Sequence, residues 1–240
     1  MKVGLIGLSD PVDSKSVETV RLNLESIGCE VIESEYLTDS ASSKDKAHLF
    51  NLWMNEKDFD YIFDISGGDL ANTCLPYLDL DAYSKNNTLF FGYSDLTCVL
   101  NALKKKSVLF QIRNTTQFDL LKEFLLHQDE SLFVDHVVGG NIRCLLKLAG
   151  TPYFPNVKGK TLFLEARSGN ENRIRAYFAQ LYSMHVLQEA NRIVLGQFSE
   201  IEQNGKGKLL DLIFKEYDLK YEKIDTVGHS HDSLAMWIGG

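Results

Sequence analysis

Short apolar runs alternate with longer amphipathic stretches along the first half of the chain, and this alternation restricts the possible folds more than any other feature. Runs rich in valine, isoleucine and phenylalanine are typical of buried strands, and the stretches between them have helical spacing. The predicted strands are Val3 to Leu8, Cys29 to Glu33, Tyr61 to Ile65, Leu89 to Tyr93 and Val108 to Ile112. The predicted helices are Ser16 to Ile27, Ser43 to Asn55, Leu70 to Leu78 and Asp95 to Lys105. Strands separated by crossover helices form a parallel sheet, so we predict an α/β fold whose strand ends face one ligand-binding crevice.

The second half of the chain predicts a further, smaller α/β unit. A helical stretch from Thr116 to His127 lies in a predicted connector, and an amphipathic run follows Gly139 as far as Leu148. The predicted strands of this half are Thr161 to Leu164, Arg192 to Phe198 and Ile224 to Gly228, and its longer helices are Glu171 to Leu187 and Lys206 to Tyr217. A length of 240 residues is sufficient for one large domain or two small ones.

Charge and cysteine spacing exclude several classes of protein. A net charge of -8 argues against nucleic acid or an anionic membrane as a partner. The four cysteines, Cys29, Cys74, Cys98 and Cys144, are far apart and form no zinc-binding pattern, so we predict buried thiols. The first residues lack a basic leader segment, and no apolar run is long enough to span a membrane. These observations predict a protein of the reducing cytoplasm.

Ser94 lies where the apolar run from Leu89 to Tyr93 gives way to the predicted helix that begins at Asp95. A serine on a sharp turn between a strand and a helix exposes its hydroxyl group beside the amides of the helix N-terminus. This placement is typical of a catalytic nucleophile, although the final glycine of the G-x-S-x-G pattern is replaced by Leu96. The alternative is an ordinary helix N-cap.

The glycine pair Gly67 and Gly68 follows the third predicted strand. Paired glycines at a strand end allow backbone N–H groups to approach a ligand or a tetrahedral oxyanion. A plain turn and a phosphate site are the alternatives, but the chain has neither G-x-G-x-x-G nor a P-loop lysine here.

Two further residues are candidates for acid–base chemistry. Glu165 ends the apolar run from Thr161 to Leu164, where a carboxylate could orient an imidazole, and the alternative is a solvated glutamate beside Arg167. His229 and His231 would lie on one face of the last predicted strand. A metal pair completed by Asp232 is an alternative role for these histidines.

Taken in order along the chain, these motifs resemble the LD-carboxypeptidase family of serine peptidases, including its microcin C immunity branch. The segments that carry the resemblance are Ser66-Gly67-Gly68-Asp69-Leu70-Ala71-Asn72, Leu75-Pro76-Tyr77-Leu78-Asp79, Phe91-Gly92-Tyr93-Ser94-Asp95-Leu96-Thr97, Gly140-Asn141, Gly150-Thr151-Pro152-Tyr153, Gly159-Lys160-Thr161-Leu162-Phe163-Leu164-Glu165, Gly228-His229 and Ile238-Gly239-Gly240. The first two segments look more like the immunity branch than the murein-recycling branch.

The resemblance implies a Rossmann-like N-terminal domain that carries the nucleophile and a C-terminal swivelling β/β/α domain that carries Glu and His. We place these domains at residues 1–115 and 116–240, with residues 116–136 as the connector. The resemblance makes Ser94 the nucleophile, His229 the general base and Glu165 the residue that orients the base. It also makes the backbone N–H groups of Gly68 and Asp95 the oxyanion hole.

The resemblance further implies hydrolysis of an amide near a C-terminal residue, through an acyl-enzyme and without a metal or organic cofactor. The expected substrate is a murein peptide with a terminal D-residue or a peptidyl-nucleotide of the microcin type, and the expected assembly is a homodimer. The substrate-binding candidates are Gly67, Asn72 and Arg113. The alternative to an enzyme is a ligand-binding relative that keeps the fold without turnover or with a shifted substrate.

Overall fold

The computed structural model of the protein describes residues 1–56, 58–103 and 105–239. Strands β1 to β10 are Lys2–Ile6, Glu30–Glu33, Tyr61–Asp64, Leu89–Gly92, Ser107–Leu109, Phe133–Asn141, Thr161–Ala166, Arg192–Phe198, Glu222–Lys223 and Ala235–Ile238. Helices α1 to α11 are Ser14–Glu25, Ser43–Glu56, Ala71–Cys74, Leu80–Lys85, Thr97–Ala102, Thr115–His127, Ile142–Leu146, Glu171–Ser183, Val186–Glu189, Ser199–Gln203 and Leu209–Glu216. Short 3₁₀ helices in the described ranges span Leu75–Tyr77, Ser94–Leu96 and Glu130–Leu132.

The strands form one sheet in the order β2-β1-β3-β4-β5-β10-β6-β7-β8-β9. Strands β1 to β5 are parallel, and so are β6 to β9, and the antiparallel pair β5–β10 joins these two groups. The predicted α/β class with a mainly parallel sheet is therefore confirmed. Because β10 pairs with both β5 and β6, the two halves of the chain share this sheet. The boundary at residues 115 and 116 stays a prediction.

Strand β6 bends at two glycines and is tied there to the helix that follows Ser94. Gly139 and Gly140 have backbone φ angles of 109° and 130°, which residues other than glycine rarely adopt. The Asn101 side chain on α5 donates to the Gly139 carbonyl and accepts from its N–H, both at 2.8 Å. The Thr97 hydroxyl, at the start of α5, accepts from the Asn141 N–H at 3.0 Å. The first helix after Ser94 therefore fixes the strand that leads toward Glu165.

The last strand lies in the middle of the sheet, and sequence analysis did not predict it. All four residues of β10 are buried, and Trp237 stacks on Phe133 with ring centroids 3.9 Å apart. The predicted strand Ile224 to Gly228 is wrong, because none of these residues is in a strand and those from Asp225 onward form bends between β9 and β10. Val227 is fully buried although it is not part of a strand, which explains the misleading apolar pattern. The predicted strand Arg192 to Phe198 matches β8 at both ends.

Two other expectations concern the whole chain. The prediction of buried thiols is confirmed, because all four cysteines are free and buried. None of the helices in the described part of the chain combines the length and apolar character needed to cross a bilayer.

Candidate active site

Ser94 adopts a left-handed backbone conformation immediately after strand β4. Its φ is 54°, whereas the preceding Tyr93 is extended, and the 3₁₀ helix begins at Ser94 itself. The N-cap position belongs to Tyr93, so the alternative of Ser94 as a helix N-cap is wrong. A non-glycine residue held at positive φ costs about 1–3 kcal/mol and is concentrated at functional sites. The backbone of Ser94 thus has the strained turn that a nucleophile between a strand and a helix requires.

Glu165 and His229 form a buried pair. Glu165 Oε2 lies 3.1 Å from His229 Nε2, and the two side chains are 0% and 9% exposed. The two atoms are within ion-pair distance, but the Nε2–H bond does not point at Oε2, so the contact is not a hydrogen bond. The other carboxylate oxygen accepts from the Asn141 side-chain amide at 3.0 Å. The alternative of a solvated glutamate is therefore wrong, and Asn141, which no sequence pattern singled out as a site residue, fixes the carboxylate.

A cleft of about 280 Å³ brings most of the predicted site residues together. Its lining includes Ser94, His229, Gly67, Gly68 and Arg113, which belong to both halves of the chain. Glu165 lies behind the imidazole. A larger cavity of about 780 Å³, bordered by Asp58, Asp60, Asp79 and Asp81 among others, contains none of these residues. We therefore place the candidate active site in the smaller cleft, which Ser94 and His229 line.

Besides Glu165, two predicted residues are outside the lining of this cleft, namely Asn72 and Asp95. Asn72, on the short helix α3, stays a predicted substrate-binding residue. The Asp95 side chain is fully buried and accepts hydrogen bonds from the Ser9 hydroxyl at 2.7 Å and from the Ala71 N–H at 2.8 Å. Lys147 on the loop after α7 donates to the same carboxylate at 2.6 Å. The Asp95 side chain is thus anchored from both halves of the chain, and the backbone N–H of Asp95 stays a predicted oxyanion donor.

The Gly67–Gly68 turn is held in a conformation that requires glycine. Gly68 has a φ of 127°, and a Cβ atom there would lie 1.8 Å from Asp10 Oδ2. The Gly67 carbonyl accepts from the Asp10 N–H at 3.2 Å, and Arg143 donates to the Gly68 carbonyl at 3.0 Å. In a trans peptide the N–H points opposite to the carbonyl, so the Gly68 N–H points away from Asp10. This is compatible with its predicted oxyanion role.

A buried carboxylate orders the strand end that leads into this turn. Asp64 Oδ1 accepts from the Ser66 N–H at 2.9 Å and from the Ser66 hydroxyl at 2.5 Å, and Oδ2 accepts from the Leu8 N–H at 2.8 Å. Burial raises the pKa of Asp64 to about 6, and these hydrogen bonds and the charge of Lys46 oppose the rise. Asp64 therefore connects β1 with the loop that lines the cleft.

The bend that carries His229 is held by the Gln197 side chain. The Gln197 amide donates to the Asp225 carbonyl at 2.8 Å and to the Ser230 hydroxyl at 3.1 Å, and its oxygen accepts from the Ser230 N–H at 3.1 Å. A Cβ atom on Gly228 would come within 2.4 Å of this side chain. Gln197 was not identified from the sequence, because its partners lie about thirty residues further along the chain.

Tyr93 links the segment that carries Ser94 to the segment that carries His229. Its hydroxyl donates to the Gly228 carbonyl, and its ring packs edge-on against His229 with centroids 5.0 Å apart. Since Tyr93 precedes Ser94 and Gly228 precedes His229, one side chain sets the distance between the two candidate catalytic residues.

Tyr93→Phe is expected to lower kcat by about tenfold or more with little change in KM, because a small displacement of His229 from Ser94 impairs proton transfer. The substitution keeps the ring against His229 and leaves the buried Gly228 carbonyl without its donor, which also costs about 1–3 kcal/mol of unfolding free energy. Steady-state kinetics and thermal unfolding would measure both effects. Tyr182→Phe, at a residue that is 36% exposed, is the matched control. An unchanged kcat would contradict the role of the Tyr93 hydroxyl group.

The metal alternative for the histidines is not supported. His231 and Asp232 are exposed on a turn, and the predicted strand face shared by His229 and His231 does not exist. Within residues 1–56, 58–103 and 105–239, no group of three or more His, Cys, Asp or Glu side chains could hold a metal ion.

Comparisons with known proteins identify the family and agree with the fold. The family model described as the LD-carboxypeptidase N-terminal domain matches residues 3–112, and the LD-carboxypeptidase C-terminal domain matches residues 136–240. These matches cover most of the chain. The chain therefore belongs to the LD-carboxypeptidase family of serine peptidases, and the resemblance found in the sequence is confirmed.

Individual relatives come from both branches of the family. Microcin C7 self-immunity protein MccF from Escherichia coli is 21% identical, with 83% of this chain and 75% of MccF covered. "Probable murein peptide carboxypeptidase" from Bacillus subtilis (strain 168) is 23% identical, with 99% of this chain and 86% of that protein covered.

Solved structures show the same fold. Muramoyltetrapeptide carboxypeptidase from Oxalobacter formigenes aligns with a TM-score of 0.85 at 21% identity, covering 100% of this chain and 93% of the other. The structure of MccF in complex with aspartyl sulfamoyl adenosine aligns with a TM-score of 0.85 at 18% identity, covering 99% and 91%. The predicted fold with two family domains is therefore confirmed.

Proposed function

We propose that the protein hydrolyses an amide bond next to a C-terminal residue, with Ser94, His229 and Glu165 as a catalytic triad. The observation that carries this proposal is the joint arrangement at the cleft. Ser94 is held at a φ of 54° and lines the same cleft as His229, whose ring lies 3.1 Å from Glu165. A ligand-binding relative without turnover would have no need for this arrangement of hydroxyl, imidazole and carboxylate.

The chemistry begins with activation of the serine. A neutral hydroxyl group is a poor nucleophile at pH 7, so His229 takes the Ser94 proton as the oxygen attacks the amide carbon. The ring nitrogen that faces Glu165 is Nε2, so a proton on Nε2 leaves Nδ1 to accept the serine proton. The Glu165 carboxylate, 3.1 Å from this nitrogen, stabilises the imidazolium that forms.

Two backbone amides stabilise the negative charge that develops on the carbonyl oxygen. The Asp95 N–H follows the nucleophile, and the Gly68 N–H lies on the turn that lines the cleft. One such donor contributes about 3–4 kcal/mol to the transition state. The buried contacts of Asp95 and the Arg143 contact to Gly68 hold both donors in place before the substrate binds.

The cycle closes by hydrolysis of an acyl-enzyme. His229 returns its proton to the leaving nitrogen as the carbon–nitrogen bond breaks, and the acyl group stays on Ser94. The same imidazole then removes a proton from water, whose oxygen attacks the ester carbon and releases Ser94 with its hydroxyl proton restored. No step requires a group outside this chain, the substrate and water.

The proposed substrates are a murein peptide that ends in a D-residue and a peptidyl-nucleotide, with some preference for the second. The relatives support both, since one is named a muramoyltetrapeptide carboxypeptidase and another was solved with aspartyl sulfamoyl adenosine. We further propose a homodimer in the cytoplasm, where four unpaired cysteines would stay reduced, with a role in peptidoglycan recycling or in microcin immunity.

Mass spectrometry of reaction products tests this proposal. The purified protein is incubated with a murein tetrapeptide that ends in D-Ala and, separately, with aspartyl sulfamoyl adenosine. We expect release of D-Ala or of sulfamoyl adenosine, and neither product with Ser94→Ala. If folded wild-type protein binds one of these compounds and cleaves neither, the ligand-binding alternative replaces the enzyme.

A further inference from the structure

The candidate cleft contains more positive than negative charge, although the protein as a whole has a net charge of -8. The ionisable residues in its lining are Arg113, Arg167, Asp13 and His229. A cleft of opposite sign on an acidic surface concentrates the field that guides an anionic ligand. The positive charge of Arg113 and Arg167 in this cleft therefore indicates an anionic ligand.

Arg113 is fixed at the floor of the cleft. Its Nε donates to the Ile65 carbonyl at 3.2 Å, and its backbone N–H donates to the Gln117 side chain at 2.8 Å. A Cβ atom on Gly67 would lie 2.9 Å from Nη2, so the guanidinium group covers the glycine turn. Because Gly67 has no side chain, it leaves space for this arginine beside the Gly67–Gly68 turn.

The acids nearest to Arg113 do not neutralise it. Asp64 accepts three hydrogen bonds from Leu8 and Ser66, and Asp13 accepts the N–H and hydroxyl of Ser16 at 2.9 and 2.6 Å as the N-cap of α1. In the described part of the chain, no carboxylate oxygen lies within 4.0 Å of the Arg113 guanidinium group. Burial lowers the pKa of the Arg113 guanidinium group, and the positive charge of Arg167 lowers it further. The negative charges of Asp64 and Asp13 raise the same pKa. Arginine nevertheless keeps its charge in proteins.

Arg167 is the second cation of the cleft and follows the end of β7, two residues after Glu165. Its side chain is exposed and has neither an ion pair nor a hydrogen bond with any of the described residues. Arg21, Arg143, Arg175 and Arg192 are paired with carboxylates, whereas Arg173, like Arg167, has no ion pair with the described residues. The two cleft arginines instead repel each other, and an anion between them would remove this repulsion.

We propose that Arg113 and Arg167 form an anion subsite that selects substrates whose terminal residue or leaving group carries a carboxylate or a phosphate-like group. This inference rests on the proposed function, because it concerns the cleft that contains Ser94 and His229. Guanidinium groups bind planar carboxylates and tetrahedral phosphates through paired N–H donors. At about 280 Å³ the cleft suits such an end group rather than a whole peptide.

The two arginines have different parts in this subsite. Arg113 is immobilised by Ile65 and contributes a fixed donor pair, whereas Arg167 is exposed and free to close over the ligand. Arg167 is therefore the better position for a test, because its substitution removes no hydrogen bond or ion pair with the described residues.

The test compares the D-Ala-terminated murein tetrapeptide with its C-terminal carboxamide in Arg167→Gln, Arg113→Gln and the control Arg175→Gln. We expect the preference for the carboxylate, as a ratio of kcat/KM values, to fall about 10- to 100-fold in the two cleft variants and to be unchanged in the control. A parallel arm with aspartyl sulfamoyl adenosine and with inorganic phosphate as a competitor distinguishes a phosphate-like ligand from a carboxylate. An unchanged preference in Arg167→Gln in both arms would overturn the proposal.

Two further measurements separate this inference from the proposed function. Fluorophosphonate labelling of Ser94 should persist in the Arg167→Gln protein, which shows that the catalytic residues are intact. Calorimetric titration of wild-type protein and Arg167→Gln with inorganic phosphate reports on the subsite even if no turnover is found. Phosphate binding that is equal in these two proteins would count against the subsite, whereas absent labelling of wild-type protein would count against the triad.

Discussion

Ser94→Ala is expected to lower kcat by about six orders of magnitude, which is the loss seen when the nucleophile of a serine hydrolase triad is removed. Without the hydroxyl group no acyl-enzyme forms, and water would have to attack the amide directly. The variant keeps a Cβ atom at the same strained position, so the backbone turn at a φ of 54° should persist. Single-turnover and steady-state assays with the substrate that the product screen identifies would measure this loss.

The thermal unfolding midpoint of Ser94→Ala should stay close to that of wild-type protein, because Ser94 makes no contact on which the core depends. Substrate should still bind, since the arginines and the glycine turn are unaltered. If the folded variant keeps turnover within about tenfold of wild type, Ser94 is not the nucleophile.

His229→Ala is expected to have a comparable effect, with kcat reduced by about six orders of magnitude and KM changed little. His229 lines the cleft beside Ser94, and its imidazole lies 3.1 Å from Glu165, so its removal takes away the proposed proton acceptor. The bend itself should survive, because Gln197 and Tyr93 hold the backbone around His229 rather than the ring alone.

His231→Ala is the matched control for this prediction, because His231 is exposed on the turn two residues further on. It should retain wild-type kcat. If His231→Ala removes turnover and His229→Ala does not, the general base is misassigned, and the 3.1 Å pair of Glu165 and His229 would have a structural role only.

Local patterns were sufficient to predict Ser94, Glu165 and the glycine turn as candidates, because each follows the end of a strand with a clear apolar run. The supporting residues were not predictable in this way. Tyr93 and Gly228 are separated by 135 residues, and Asn141 and Glu165 by 24, so the sequence near each residue contains no sign of its partner. Arg113 was a candidate only through the resemblance, and Arg167 was considered only as a neighbour of Glu165.

The fold was predictable to a similar extent. The parallel order of the first five strands follows from their alternation with helices, and most bounds differ by one or two residues from those observed. Strand β10 was not found, because four residues near the end of the chain give a short pattern and its partners β5 and β6 are distant in sequence. The Ile224 to Gly228 prediction failed for the opposite reason, since burial of Val227 against the core imitates a strand.

The central claim is that Ser94 is an activated nucleophile served by His229 and Glu165. Peptide mapping by mass spectrometry after treatment with a fluorophosphonate tests it most directly. The account predicts one adduct, on the peptide that contains Ser94, formed rapidly in wild-type protein and very slowly in His229→Ala and Glu165→Gln. An adduct on a different residue, or equally fast labelling of Ser94 in all three proteins, would contradict it.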